Sequence, residues 1–250
     1  MTFGIAFTTI GLLLLGAAWG SAMADLATSL PGVLAIMLML WTAVACWVAS
    51  AAWLLPANQG EQYRRVHWLY GKRPNGTRTW RATLWLLPFL LPIWAWWHLR
   101  RPTLTEAPWH ELLPDLVLGR RLLDREWDLN VDHIVDLTCE YEECPRQRHH
   151  AGYLSLPIVD GAAPPPLVLQ SYAHRINSLS GRIYLHCAEG HGRTATVAAA
   201  VLLVRGHAAD VDDALRQIAA VRPKARPYKR QLRALRDMAL SLGETMRRQN

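Results

Sequence analysis

The chain has 250 residues, 51% of them hydrophobic, with 27 Lys and Arg against 20 Asp and Glu for a formal net charge of +7. That length holds one to two domains, and the apolar content excludes a disordered chain. Residues 1–102 carry 8 basic and 2 acidic side chains and residues 103–250 carry 19 and 18, so the charge is not spread as in a basic soluble nucleic-acid binder, which is disfavoured.

Phe3 to Ala24 contains no Lys, Arg, Asp or Glu. About 20 apolar residues at ~1.5 Å each cross a ~30 Å hydrocarbon core, so residues 3–24 are expected to span a membrane. A cleaved secretory leader competes with this reading because Ala22-Met23-Ala24 resembles a small-residue cleavage site. The basic start that such a leader needs is missing, since the first Lys or Arg is Arg64. A second span is expected over Val33–Leu55, after the Pro31-Gly32 turn and before Pro56.

The third apolar stretch, Ala82 to Leu99, just reaches spanning length. Pro88 and Pro92 interrupt it, and Trp94, Trp96 and Trp97 crowd one end as at a headgroup layer. Arg64, Arg65, Lys72, Arg73, Arg78 and Arg81 precede it and Arg100 and Arg101 follow, which places both flanks in the cytoplasm by the positive-inside rule. The expected topology is two spans with a re-entrant or interfacial third segment at 82–99; three spans is the alternative. Asn75-Gly76-Thr77 reads as a turn in a basic loop in preference to a glycosylation acceptor. The composition shift at Arg101-Pro102 divides the chain into a membrane region, 1–101, and a globular region, 102–250.

The globular region alternates strand and helix patterns, which implies an α/β fold: a central sheet with helices on both faces, preceded by transmembrane helices. Strands are expected at Leu116–Gly119, His133–Thr138, Tyr153–Ile158 and Arg182–His186. Helices are expected at Leu122–Leu129, Leu167–Leu179, Thr194–Val204, Val211–Val221 with Asp210 as N-cap, and from about Tyr228 onward. Ligands in such folds sit at the C-terminal ends of strands.

At one such end lies His186-Cys187-Ala188-Glu189-Gly190-His191-Gly192-Arg193-Thr194-Ala195. A strand ends, the chain turns through two glycines, and a helix begins. Successive N–H groups in that turn and the positive end of the helix form an anion cradle, and Gly190 and Gly192 permit the close approach. Arg193 adds a planar fork matched to two phosphate oxygens. The helix terminus and the cation favour the thiolate of Cys187, which makes it a nucleophile.

This Cys-x5-Arg-Thr arrangement resembles the signature of the cysteine-based protein tyrosine phosphatase superfamily, in its dual-specificity branch. An arsenate-reductase or rhodanese-like site follows the same loop logic. The resemblance extends over most of residues 113–240, from Leu113-Pro114-Asp115-Leu116-Val117-Leu118-Gly119 to Arg222-Pro223. It implies that Cys187 forms a phosphocysteine, Arg193 holds the phosphoryl oxygens, and Thr194 steadies the thiolate as it leaves. Ala188, Glu189, Gly190, His191, Gly192 and Arg193 would line the phosphate, with His186 supporting the loop from behind or serving as a core His. Asp160, 27 residues before Cys187 and next to Gly161-Ala162-Ala163-Pro164-Pro165-Pro166, matches the acid-bearing loop. Asp132 and Asp136 fit that role less well.

Four cysteines are too few and scattered for a disulfide scaffold. Cys139, just after the strand ending at Thr138, is a candidate redox partner of Cys187 by the same resemblance, with an inert Cys as the alternative. Cys139 and Cys144 form a weak zinc signal without a second ligand pair. No metal and no cofactor are implied. The resemblance implies a phosphomonoester hydrolase, and the apolar segments with their Arg-rich flanks place it at the inner (plasma) membrane with a cytoplasmic catalytic domain. Its expected substrate is a phosphoprotein (Tyr, Ser or Thr); the alternative is a phospholipid headgroup of the phosphatidylglycerophosphate kind. A phosphate-binding module without turnover and a membrane scaffold are the remaining readings. Variable loop positions without Lys make a poor cradle for a multiply charged headgroup. Arg222, Lys224, Arg226, Lys229, Arg230, Arg233 and Arg236 read either as a face for anionic lipid or as an ordinary solvated helix face.

Overall fold

A computed structural model describes residues 2–23, 28–54 and 69–249. Ala24 and Leu55, the expected ends of the first two spans, lie outside the described residues. The described residues divide into two compact units: 2–23, 28–54, Leu69–Gly71 and Thr79–Thr103 in the first, and Lys72–Arg78 and 104–249 in the second.

The first unit is built from three apolar helices, α1 (Thr2–Met23), α2 (Leu30–Leu54) and α3 (Trp80–Arg100). Glycine lets α1 and α2 approach: a Cβ on Gly11 would stand 2.3 Å from Trp47 Nε1. Trp47 Nε1 donates to Thr8 O at 3.4 Å and Trp41 Nε1 to Trp85 O at 3.1 Å, so indole donors on apolar helices find backbone acceptors on their neighbours. Thr42 and Ser50 return their hydroxyls to the carbonyls of Leu38 and Cys46 one turn earlier. Leu12, Leu13, Leu34, Met37 and Trp85 remain exposed on the outside of these helices. Two helices, Leu30–Ala51 and Trp80–Thr103, are long and apolar enough to cross a membrane by length and composition; the described apolar run Ala6–Ala22 is shorter.

Pro88 and Pro92 do not break α3, which runs unbroken through both. Their spacing of one turn puts both missing N–H groups on the same side of the helix, so a single stripe of the ladder is affected. Thr79 caps the start, accepting from Ala82 N at 3.4 Å.

The second unit is a five-stranded mixed sheet. Its strands are β1 (Trp109–Leu113), β2 (Leu116–Arg120), β3 (His133–Thr138), β4 (Tyr153–Ile158) and β5 (Ile183–Cys187), in the order β1-β2-β5-β3-β4. All neighbours are parallel except β1, which pairs antiparallel with β2 as an edge hairpin. The sequence pattern does not reveal β1, whose Trp-His-Glu-Leu-Leu run lacks β-branched residues and clear alternation. The helices are α4 (Pro145–Arg148), α5 (Pro166–Asn177), α6 (Gly192–Val204), α7 (Val211–Val221) and α8 (Lys229–Gln249).

Strand residues alternate between two cores. Leu116, Leu118, Val135, Leu137, Ile183 and Leu185 face one cluster with α5, α6, α7 and α8, while Val117, Ile134 and Tyr184 face another. Burying each such Leu or Val contributes about 1.5–3 kcal/mol. Leu122, Leu129 and Val131 close the second cluster, but the helix expected at Leu122–Leu129 is reduced to a 3-10 turn at Asp124–Glu126. Tertiary partners outcompete helix formation there: Glu126 binds Arg120 and the Leu123 N–H, and Asp124 accepts from Arg146 N at 3.1 Å. Asp210 caps α7 as expected, accepting from Asp213 N at 2.7 Å.

Candidate active site

Parallel pairing aligns the C-terminal ends of β2, β5 and β3, and β5 runs one residue further than the sequence pattern suggests, through Cys187. The loop after it is short. Gly190 adopts φ +72, and a Cβ there would lie 2.4 Å from the Gly119 carbonyl, so only glycine allows the loop to lie on β2. Arg121 N donates to Cys187 O at 2.7 Å and ties the loop to the end of β2. The helix α6 begins at Gly192, two residues before the expected Thr194, which places Arg193 and Thr194 in its first turn.

Cys187, Arg193 and Thr194 are all buried. Arg193 donates Nη1 to Glu140 Oε2 at 2.8 Å and to Ile158 O at 2.9 Å, and Nη2 to Glu140 Oε1 at 2.7 Å. Its Nη2 is also 3.1 Å from Asp160 Oδ1. Two buried polar atoms in this turn have no hydrogen-bond partner in the structure, Arg193 Nε and Thr194 Oγ1. Buried polar groups are nearly always satisfied; an anion of phosphate type in the loop would satisfy the first.

Asp160 follows β4 with its side chain largely exposed. Loss of hydration beside the loop and the charges of Glu140 and Glu189 push its carboxyl up, against the pull of Arg193. Burial would likewise raise Glu140, but the Arg193 guanidinium outweighs it and holds that carboxyl below its ordinary value.

Several neighbours of the loop escape the sequence. Glu140, between Cys139 and Tyr141, carries no motif, and its partner is 53 residues away. Gln231 on α8 donates to Ala162 O at 3.0 Å and accepts from Tyr228 N at 3.0 Å, tying α8 to the loop of Asp160. Arg222 is buried rather than lipid-facing: Nε donates to Gly190 O at 3.0 Å, Nη2 to Glu189 O at 3.1 Å, and Nη2 is 3.0 Å from Glu106 Oε2. This removes it from the basic face expected at 222–236; loop carbonyls and a carboxylate hold it inside. Arg236 pairs with Asp212 at 3.3 Å on the surface.

The variable loop positions carry no Lys or Arg. Ala188 is buried, and His191 lies between Glu106 Oε2 at 2.7 Å from Nε2 and Glu189 Oε2 at 3.4 Å from Nδ1. His186 is buried and stacks on Tyr184 with ring centroids 5.2 Å apart, and its Nε2 is 3.6 Å from Glu143 Oε2. Asp136 is fully buried and Asp132 accepts from Arg182 N at 2.7 Å, so neither points into the cradle as a free acid. Cys139 is fully buried, and burial together with Glu140 pushes its thiol well up, which disfavours the thiolate that disulfide exchange requires. Arg121 Nη2 lies 3.2 Å from Cys144 Sγ.

Residues 120–247 match the model of PTP-SAK, described as Swiss Army Knife protein, DSP-PTPase phosphatase domain. No curated protein sequence matches the chain. Among solved structures, PTPMT1 in complex with PI(5)P is 23% identical, covers 56% of this chain and 99% of its own, and superposes with a TM-score of 0.50. Human DUSP28 is 19% identical with 56% and 97% coverage and a TM-score of 0.46. A mouse putative dual specificity phosphatase complexed with zinc tungstate is 20% identical, with 57% and 95% coverage and a TM-score of 0.48. At these identities the likeness concerns the fold.

Proposed function

The chain belongs to the PTP-SAK family of DSP-PTPase phosphatase domains, hence to the phosphoric monoester hydrolases, and from that premise we propose a membrane-anchored, cysteine-dependent phosphatase acting on phosphoproteins. The observation that carries the mechanism is the pair of unsatisfied buried atoms, Arg193 Nε and Thr194 Oγ1, beside Cys187. In this reading Cys187 Sγ attacks phosphorus and the ester P–O bond breaks, while Arg193 holds the equatorial oxygens through a transition state whose charge is spread over them. Asp160 gives its proton to the departing oxygen. Water then attacks the phosphocysteine, Asp160 takes its proton, and Thr194 stabilises the departing thiolate. Glu140 holds Nη1 and Nη2 of Arg193, which leaves Nε for the cradle.

A protein substrate is favoured by the variable loop positions. A polyphosphorylated headgroup would meet Glu189 and a His191 already engaged by Glu106, with no Lys in the loop. A headgroup bearing one phosphomonoester is the second reading, favoured by apolar helices that would keep the unit at a bilayer; PTPMT1 has been crystallised with PI(5)P. A panel of phosphopeptides and phosphatidylglycerophosphate micelles separates them. Phosphopeptides are expected to give the higher kcat/KM, and a preference of tenfold or more for the lipid, as an order-of-magnitude threshold, would reverse the assignment.

We place residues 1–101 at the inner membrane as its anchor and residues 102–250 in the cytoplasm, with α1 and α2 crossing and α3 interfacial. The Arg-rich flanks of α3 support that placement. A reporter active only in the periplasm, fused after Arg101, is expected to stay silent; activity there would establish a third crossing.

A further inference from the structure

Seven residues upstream of the matched domain form part of the phosphatase unit. Lys72–Arg78 is a tight hairpin: Lys72 bridges Arg78, Arg73 N donates to Thr77 O at 2.9 Å, and Gly76 N donates to Arg73 O at 3.0 Å. The tip is an Asx turn, with Asn75 Oδ1 accepting from Thr77 N at 3.2 Å and Thr77 Oγ1 at 2.7 Å, so the Asn-Gly-Thr run is a turn as expected. Gly76 holds φ +80 against Tyr153, whose hydroxyl would lie 2.7 Å from a Cβ there.

This hairpin grips one short stretch of the domain, residues 139–143, at three backbone points. Arg78 donates Nη1 to Cys139 O, Lys72 donates Nζ to Tyr141 O at 2.6 Å, and Gly76 O accepts from Glu143 N at 2.9 Å. Lys72 Nζ also lies 2.7 Å from Asp136 Oδ2, with both side chains fully buried. Burial would raise the Asp136 carboxyl, but Lys72 and His186 together hold it far below its ordinary value. Asp136, Glu143 and His186 offer ligand atoms within 4.8 Å of one another, yet the Lys72 ammonium already supplies the cation to Asp136.

The gripped stretch matters because it presents the two carboxylates behind the phosphate loop. Glu140 clasps Arg193 with both oxygens, and Glu143 faces His186, the residue before Cys187. A carbonyl or N–H held on either side of Glu140 fixes where that carboxylate stands, and hence where Arg193 stands.

We propose that Lys72 and Arg78 are positioning residues of the phosphatase: the Lys72–Arg78 hairpin clamps residues 139–143 so that Glu140 holds Arg193 in its phosphate-binding geometry. The proposal rests on the reading of Cys187 and Arg193 as the reacting pair. Displacing a catalytic group by about 1 Å costs up to ~10²-fold in rate, so the clamp's loss is expected to lower kcat tenfold or more, in order of magnitude.

The test uses the full chain in detergent and compares the natural protein with Arg78→Met and Lys72→Met. Aryl phosphate turnover is normalised to the Cys187 thiol titrated by iodoacetate, and inhibition by vanadate, a mimic of the transferring phosphoryl group, is measured alongside. Arg78→Met is the decisive variant because its acceptor at Cys139 is a neutral carbonyl, whereas Lys72→Met strands a buried carboxylate and is the more prone to unfold. The expected result is a lower kcat per thiol with vanadate affinity falling in parallel and KM changed by less than about twofold, since Arg193 contributes most in the transition state. Unchanged kcat per thiol and vanadate affinity in Arg78→Met, with only the melting temperature lowered, would overturn the clamp and leave a purely stabilising hairpin. A natural protein that turns over no aryl phosphate would instead sink the reading of Cys187 and Arg193, a separate outcome.

Discussion

Cys187→Ser is expected to abolish turnover while leaving the protein folded and able to bind phosphate esters. The Sγ atom sits in the buried cluster formed by β5, α6 and their neighbours, and a hydroxyl of nearly the same shape fits that space. What changes is the chemistry. A serine hydroxyl is a far weaker acid than a thiol and stays protonated in this loop, with His186 behind the strand, stacked on Tyr184. The covalent route therefore closes. Arg193 Nε and Thr194 Oγ1 remain in place with no protein partner to quench them, so a phosphopeptide still has its cradle. Steady-state hydrolysis of an aryl phosphate is expected to fall to the buffer rate, while equilibrium binding of a phosphopeptide changes by less than about tenfold, in line with a role confined to bond making. Appreciable hydrolysis by the serine variant would exclude Cys187 as the nucleophile.

The contrast between what the chain announces and what it conceals follows from distance along it. The phosphate loop is legible because all its parts are consecutive: strand end, thiol, glycines, guanidinium and helix start fall within Cys187–Thr194, and the backbone geometry needs those residue types in that order. Strands β2, β3 and β5 are legible because both of their faces are buried, which leaves largely apolar runs. Asp160 is legible through the resemblance, by its place after β4. Glu140, Arg222 and Lys72 are not, because each owes its role to a partner brought near by sheet register. Asp136 pairs with His186 across β3 and β5, and that register brings the segment of Glu140 and Glu143 behind the loop. The basic run at 222–236 shows the converse. Arg222 has the same charge as its exposed neighbours, and only its place at the end of α7 turns it inward against Gly190 O and Glu189 O. Pro88 and Pro92 do not end α3 for a local reason, since a helix interrupted twice on one face loses bonds without losing its axis.

Asp160→Asn is expected to lower kcat on a substrate with a poor leaving group by ~10²- to 10⁴-fold, the usual range for loss of general acid catalysis. The loss on an aryl phosphate with a good leaving group is expected to be far smaller, because that oxygen departs without a proton. The pH dependence carries the sharper signature. In the proposed role Asp160 acts in its protonated form, and loss of hydration together with Glu140 and Glu189 shifts its carboxyl upward against Arg193. A raised value extends the protonated, active form to higher pH, so the rate falls as pH rises through it. Asparagine neither donates nor titrates in this way, and the descending limb disappears with the activity. A variant that keeps both the rate on an alkyl phosphate and the alkaline fall would assign the proton to another group, and Glu189, beside His191 at the loop, would be the next to replace. In the proposed role, the 3.1 Å approach of Asp160 to Arg193 Nη2 keeps the carboxyl beside the guanidinium that would hold the phosphoryl oxygens.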